Sequence, residues 1–301
     1  MFPDLFTQQT ANGPVELHTW GLMLMVAFFA GTMVAYGRAP KVGANPDILV
    51  PLVFVSIFTA VLGSRLMHFL FAEPGLLFSD PMAFFSISQG GMAVQGGVIC
   101  AVISGMAFAH WRGAPALKLV DVIAPSIALG QAFGRVGCFF AGCCHGTACP
   151  APVSGSLLSG FFPGGDVVLT EGFPFVALVF HRGVGVGSIY DLPTYPTQVW
   201  ESLATFALFL FLSWMWKSAR KFDGQILAGY LLIYPFIRSV IEHFRGDEIR
   251  GTGWFGFLST GQLVSIGMFV AGLAIVAWGW RRGIAEEIPF TAPDDDDLAY
   301  D

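Results

Sequence analysis

The chain has 301 residues, 54% hydrophobic and only 12% charged, against about 25% charged in ordinary soluble domains. This balance excludes a soluble globular domain and makes the bilayer the solvent. The formal net charge of -6, with four aspartates gathered at Asp294 to Asp297 in a solvated tail, predicts no nucleic-acid partner.

In chain order, the first stretch up to Glu16 lacks the basic n-region and apolar core of a cleavable signal peptide, so it is expected to remain in the mature chain. Seven segments of about twenty residues then follow, each long enough to cross a hydrocarbon core of about 30 Å. They run near Leu17 to Gly37, Leu49 to Ala72, Gly90 to Trp111, Leu119 to Cys144, Thr197 to Trp216, Gln225 to Phe244 and Leu258 to Trp280. Between the fourth and fifth, Gly146 to Pro196 is rich in Gly, Pro and short apolar runs such as Asp166-Val-Val-Leu-Thr170. It predicts a small external lobe with β character. Arg38 and Lys41, Arg112 and Lys118, Lys217, Arg220 and Lys221, and Arg281 and Arg282 collect at alternate ends of the helices, with only Arg182, Arg245 and Arg250 on the opposite side. The positive-inside rule puts the N-terminus outside and the C-terminus in the cytoplasm. The expected fold class is an all-α integral membrane protein of about seven transmembrane helices. Its divisions are 1–145, the external lobe 146–196, 197–283, and an acidic cytoplasmic tail 284–301.

The other three arginines, Arg65, Arg135 and Arg238, fall inside the spans. An ionisable group at membrane depth costs at least a few kcal/mol and faces a bundle interior or a wet cavity, which makes each a candidate site residue. The bland reading is an arginine that snorkels or is paired structurally. At about 1.5 Å of rise per residue, Arg135 lies about 25 Å from the Lys118 end of its helix and Arg238 about 20 Å from the start near Gln225. The same count places Arg65 in the outer part of the second span, Gln95 about 8 Å into the third, Glu201 one turn into the fifth and Glu242 one turn beyond Arg238. Independent helices thus bring guanidiniums, carboxylates and an amide to one level in the outer half of the membrane. Guanidiniums outnumbering acids suit an anionic ligand, and their planar paired donors match phosphate, of which a lipid headgroup is the natural source at that depth. Gly90, Gly91, Gly96 and Gly97 flank Gln95, and Gly134, Gly137, Gly142 and Gly146 surround Arg135. Close helix packing explains such glycines, and so does a backbone that approaches a ligand.

Six ordered segments carry a resemblance to a known family. Gly134-Arg135-Val136-Gly137-Cys138-Phe139-Phe140-Ala141-Gly142, ending at Gly146, resembles the signature of prolipoprotein diacylglyceryl transferases, Gly-Arg-x-Gly-Asn-Phe-x-Asn-Gly followed by Glu, two variable positions and Gly. His18-Thr19-Trp20-Gly21-Leu22-Met23 is similar to the opening of that family's first helix, and Gly90-Gly91-Met92-Ala93-Val94-Gln95-Gly96-Gly97 to its third-helix motif. Tyr195-Pro196-Thr197-Gln198-Val199-Trp200-Glu201 is similar to its Pro-Ser-Gln-x-Tyr-Glu. Arg238, Glu242 and Arg245 follow its Arg-x-x-x-Glu-x-x-Arg, and Gly261-Gln262-Leu263 resembles the Gly-Gln that opens its seventh helix. The resemblance spans about Leu17 to Arg281 and covers the lobe poorly.

The resemblance implies transfer of the diacylglyceryl group of phosphatidylglycerol to the lipobox cysteine thiol of a preprolipoprotein, with release of glycerol phosphate, in the bacterial inner membrane. It implies no cofactor and no metal. Arg135, Arg238 and Gln95 take the catalytic positions. Arg65, Trp20, His18 and Cys138 would contact substrate, as would Gly142, Gly146, Gln198, Glu201, Glu242 and Arg245. The chain also departs from the pattern. Gln95 stands where the family has His, and a neutral amide is no ordinary general base. Trp20 replaces a tyrosine, Cys138 the signature asparagine and Cys143 the signature glutamate. Two other functions stay open: a phosphatidylglycerol-binding or transport relative without catalysis, and a thiol redox or metal-handling protein on the same bundle.

Cys138, Cys143, Cys144, His145 and Cys149 fall within one short stretch. Soft ligands at that density suit zinc or copper, yet the spacing lacks the paired Cys-x-x-Cys of a structural zinc site. A disulfide from Cys149 to Cys143 or Cys144 suits an outward-facing loop, inert packed thiols are the bland reading, and a thiolate beside Arg135 would supply the missing proton acceptor. Cys100, alone in an apolar helix, reads as packing.

Overall fold

The computed structural model describes residues 4–10, 13–71, 82, 84, 94–162, 165–181, 191–245 and 260–282. Seven helices account for most of them: α1 Thr19–Tyr36, α2 Leu49–Phe71, α3 Val94–Trp111, α4 Ala116–Ala141, α5 Thr197–Ser218, α6 Gln225–Phe244 and α7 Thr260–Arg282. Six are long and apolar enough to cross a membrane, and the shorter apolar helix Gly96–Trp111 lies within α3. The protein is therefore a mostly helical, multi-pass membrane protein, as the hydropathy predicts. Large apolar side chains such as Phe29, Phe54, Val102, Leu210 and Phe236 are exposed on the helices, as a lipid-facing surface requires. The tail 284–301 lies outside the described residues.

Two features are β-structured. Strands β1 (Asp4–Thr10) and β2 (Gly13–His18) pair antiparallel ahead of α1, a hairpin absent from the sequence expectation although Asn12-Gly13 is a common hairpin-turn dipeptide. The predicted lobe is a four-stranded antiparallel sheet in the order β3-β4-β5-β6, from Val153–Phe162, Gly165–Thr170, Val176–Phe180 and Pro193–Thr194. Val167, Leu178 and Phe180 form its core and pack on Phe139, so the sheet rests on the carboxyl end of α4.

The chain divides into two compact units. The first comprises Met1–Ala35, Val120–Arg220 and Gly224–Val276, and the second Tyr36–Leu119, Lys221–Asp223 and Ala277–Asp301. In the second, α2 and α3 meet backbone to backbone. A Cβ on Gly63 would lie 2.6 Å from the Gly96 carbonyl oxygen and 2.5 Å from the Cys100 side chain, and Thr59 and Ser104 share a 2.7 Å hydroxyl hydrogen bond. Gly96 is thus a packing glycine, and Cys100 packs as the sequence suggested.

In the first unit, Ala124 and Ala128 of α4, Leu208, Leu212 and Met215 of α5, and Ile226 and Tyr230 of α6 form the main helical core. Asp121 fixes the register of α6 against α4. Its buried carboxylate accepts from the backbone N–H of Gly224 (2.8 Å), Ile226 (3.1 Å) and Leu227 (3.0 Å), and it pairs with Arg220 at 3.6 Å. These N–H groups belong to the first turn of a helix and have no intrahelical acceptor, and the positive helix end favours the carboxylate. Asp121→Ala should destabilise the protein by about 3 kcal/mol, because buried donors lose their only acceptor. In nonionic detergent the apparent melting temperature should fall by roughly 6 to 10 °C, with Asp121→Asn between that and the native chain.

Candidate functional site

The site is built where α4 ends. Gly142, in the left-handed conformation at φ 66°, stops the helix. Its N–H donates to Phe139 O (3.2 Å) and the Cys143 N–H to Cys138 O (3.1 Å), the pair of bonds that defines a Schellman termination. Cys144 is also left-handed, at φ 61°, unusual for a residue with a side chain. Two left-handed residues in three fold the chain back, so the sulfurs of Cys138, Cys143 and Cys144 lie within 4.8 Å of one another.

The amino end of α5 clamps this turn. Gln198 Nε2 donates to Cys143 O at 2.8 Å and Thr197 Oγ1 to Cys144 O at 3.0 Å, both side chains buried. One step further on, Gly146 N–H donates to Tyr195 O and Thr147 N–H to Phe244 O, each at 3.0 Å, and Gly146 bridges to Arg245. A Cβ at Gly146 would meet Tyr195 Cβ at 2.6 Å and Phe244 O at 2.7 Å, so only glycine passes there. Through these bonds the signature segment is joined to the start of α5 and the end of α6.

Charge collects around one acid. Glu201 is 2% exposed and faces three guanidiniums: Arg135 at 3.0 Å, Arg238 at 3.5 Å and Arg245 at 4.0 Å. Glu242 pairs with Arg238 from the next turn of α6. Among the described residues three guanidiniums thus gather on two carboxylates, planar paired donors of the kind that suit an anionic ligand. Outside the helices, hydrogen bonds with Cys138 and Cys143, then the Arg245 and Arg135 guanidiniums, hold the Cys144 thiol well below the usual thiol range against burial. Hydrogen bonds with Cys138 and Cys144, with burial, push Cys143 above it.

Of the residues singled out from sequence, the structure brings Arg135, Cys138, Gly142, Gly146, Gln198, Glu201, Arg238, Glu242 and Arg245 into this one constellation. Trp20 is half-exposed and stands over Gly137, where a Cβ would meet its Cδ1 at 3.2 Å, and His18 closes the N-terminal hairpin opposite Asp4. Arg65 belongs to the second unit. There it is buried, donates from Nε to Phe84 O at 3.1 Å and lies over the Phe69 ring at 5.2 Å. Gln95 begins that unit's α3, and its side chain lies outside the described residues, as do Gly90 and Gly91. All five cysteines are free thiols. Cys149 does not pair with Cys143 or Cys144, because its own N–H donates to Pro193 O at 2.7 Å and the neighbouring Ala148–Thr194 bridge ties it to the lobe.

Sequence reasoning missed Thr197, and it missed an aromatic cluster of Phe173, Tyr195, Trp200 and Phe244 whose ring centroids lie 5.3 to 6.1 Å apart. Tyr195 and Trp200 were visible in the Tyr-Pro-Thr-Gln-Val-Trp-Glu motif. Phe173 comes from the β4–β5 turn, which no periodicity foretells.

Glu201→Gln keeps the volume and removes the charge, so three guanidiniums share only Glu242. It should cost about 3 kcal/mol and cut the yield of monodisperse detergent-extracted protein severalfold, whereas Glu242→Gln, at the partly exposed edge, should cost less than half of that.

A sequence model of the family described as prolipoprotein diacylglyceryl transferase matches residues 8–278. The chain is 31% identical over 294 residues to the "Phosphatidylglycerol--prolipoprotein diacylglyceryl transferase" of Escherichia fergusonii, covering 95% of this chain and 97% of that protein. It is 29% identical over 276 residues to the protein of the same name from Psychrobacter arcticus, covering 91% and 93%, and 32% identical over 288 residues to that of Cronobacter sakazakii, covering 93% and 95%. With the signature glycines, the two membrane arginines and the buried glutamate joined in one site, the chain belongs to the prolipoprotein diacylglyceryl transferase family.

Proposed function

We propose that the protein transfers the diacylglyceryl group of phosphatidylglycerol to the lipobox cysteine thiol of a preprolipoprotein, releasing glycerol phosphate. The observation that carries this reading is the convergence of three guanidiniums, among them the signature Arg135, on Glu201 and Glu242 at the ends of apolar helices. The cell compartment follows from the chemistry and the charge distribution: a bacterial inner membrane, with the N-terminus outside and the site in the outer half.

In this reading the phosphodiester sits against Arg135 and Arg238, with Arg245 closing the ring. Glu201 and Glu242 hold the guanidiniums in place before substrate arrives, so little reorganisation remains for the reaction itself. The thiol sulfur attacks the diacylglyceryl carbon bonded to the phosphate ester oxygen. A C–S bond forms, that C–O bond breaks, and its electron pair stays on the departing phosphate, whose added charge the guanidiniums take up. The thiol proton passes to a phosphate oxygen of the leaving group, which bears a second negative charge at that moment. By the family resemblance Gln95 takes the position of the family's His, and a neutral amide there does not titrate. Gln198 turns its amide nitrogen to Cys143 O and has a buried Oε1 without a hydrogen bond in the described structure, an acceptor suited to a glycerol hydroxyl of the headgroup. By the resemblance Trp20, His18 and Arg65 would also contact substrate.

Expression in cells depleted of their own transferase tests the function directly: the chain should restore thioether-linked diacylglycerol on a reporter lipoprotein. Binding of phosphatidylglycerol without any thioether product would sink the catalytic reading and leave a lipid-binding protein. Arg135→Ala and Arg238→Ala should each lower kcat about 100- to 1000-fold while the protein still inserts, because one donor to the developing phosphate charge is lost. Near-normal turnover in both variants would remove the phosphate from these arginines.

A further inference from the structure

The transfer steps above give no bond-making role to the three sulfurs at the end of α4, yet they are built into a defined place. From their geometry we infer that Cys138, Cys143 and Cys144 form a three-coordinate site for a soft monovalent d10 cation, Cu(I) being the biological example. Their ligand atoms lie within 4.8 Å of one another, so small side-chain rotations bring three sulfurs to one ion. The positions do not depend on chance rotamers, because the backbone around them is pinned. The Schellman bonds fix Cys138 relative to Cys143, while Gln198 and Thr197 hold the carbonyls of Cys143 and Cys144. Cys144 keeps a left-handed conformation at φ 61° that a packing cysteine has no reason to adopt.

The donor set selects the ion. Thiolates favour Cu(I), zinc and iron–sulfur clusters, and structural zinc takes four protein ligands. Among the described residues no fourth His, Cys, Asp or Glu joins the group. His145 sits next in sequence, but its Nδ1 lies 3.1 Å from Gly146 O and its ring lies 5.0 Å from that of Phe180 in the lobe core. Cys149 is held in the lobe and serves no sulfur to the cluster. Three sulfurs without a fourth donor match trigonal coordination. On binding, the S–H bonds still present break, their protons leave to water and three metal–sulfur bonds form, with no change of oxidation state. The complex carries two negative charges. It lies one helical turn beyond Arg135 on α4 and two residues before the Gly146–Arg245 bridge, so two guanidiniums flank it. Cys143 and Cys144 are only partly buried, which leaves an entry path.

The test uses the full chain in detergent, titrated anaerobically with Cu(I) against a chromophoric Cu(I) chelator, with X-ray absorption to count sulfur neighbours. One ion per chain, three sulfur neighbours and no displacement by equimolar Zn(II) are expected. Cys138→Ser, Cys143→Ser and Cys144→Ser should each weaken binding at least about tenfold, and Cys100→Ser and Cys149→Ser should leave it unchanged. Prior alkylation of the native protein, which requires no variant to fold, should abolish uptake. Binding of less than half an ion, retention in all three cluster variants, dependence on Cys149, four-coordinate zinc held in preference, or a disulfide within the cluster after anaerobic purification would each overturn the site. Diacylglyceryl transfer is assayed on the same preparations. Loss of the transferase reading leaves a positive metal result standing, and a negative metal result leaves transfer untouched.

Discussion

A single buried carboxylate organises the end of the first unit where α4 stops and α5 begins. Glu201 stands where guanidiniums from α4 and α6 and from the end of α6 converge, and without it three like charges would crowd a region of low dielectric where repulsion is expensive. With Glu242, two acids hold three guanidiniums in fixed positions among the described residues. Donors arranged before any ligand arrives need little reorganisation when charge develops beside them.

The rest of the architecture serves to bring that glutamate and its partners to one level. Asp121 sets α6 against α4 at one end, and the Gly146–Arg245 bridge sets them at the other. Between these two fixed points, Arg238 and Glu242 can face only inward. Small residues perform the same task in the second unit, where Gly63 and Gly96 let two helices touch without side chains between them. Polar capping therefore positions the helices that carry charge, and glycine contact positions those that do not.

Much of this was legible in the sequence because membrane helices announce themselves by hydropathy and because charged residues inside them have few reasons to exist. Arg135, Arg238, Glu201 and Glu242 could be placed at one depth by counting rise alone. Gly142 and Gly146 were read as substrate contacts, and the structure gives them a prior conformational duty: one terminates a helix and the other admits a crossing strand. The cysteine arrangement was not legible. Spacing alone made Cys149 as good a partner as Cys138, and only the two left-handed residues Gly142 and Cys144, one on each side of Cys143, decide which sulfurs meet. The N-terminal hairpin escaped notice for a similar reason, since six- and seven-residue strands leave a weak periodic signal beside an apolar helix.

The lobe leaves and re-enters the helical bundle through one narrow gate. Tyr195 N–H donates to Thr147 O and Gly146 N–H to Tyr195 O across its neck, Cys149 N–H donates to Pro193 O, and the strands Val153–Phe162, Gly165–Thr170 and Val176–Phe180 lie beyond. Mechanically this makes the sheet an insertion into a loop already closed, so α4 and α5 are held together whatever the excursion contains. For a closed loop, each doubling of length adds only about 0.6 kcal/mol of entropic cost. A longer or shorter sheet at this place would therefore leave the guanidiniums at the helix ends where they are.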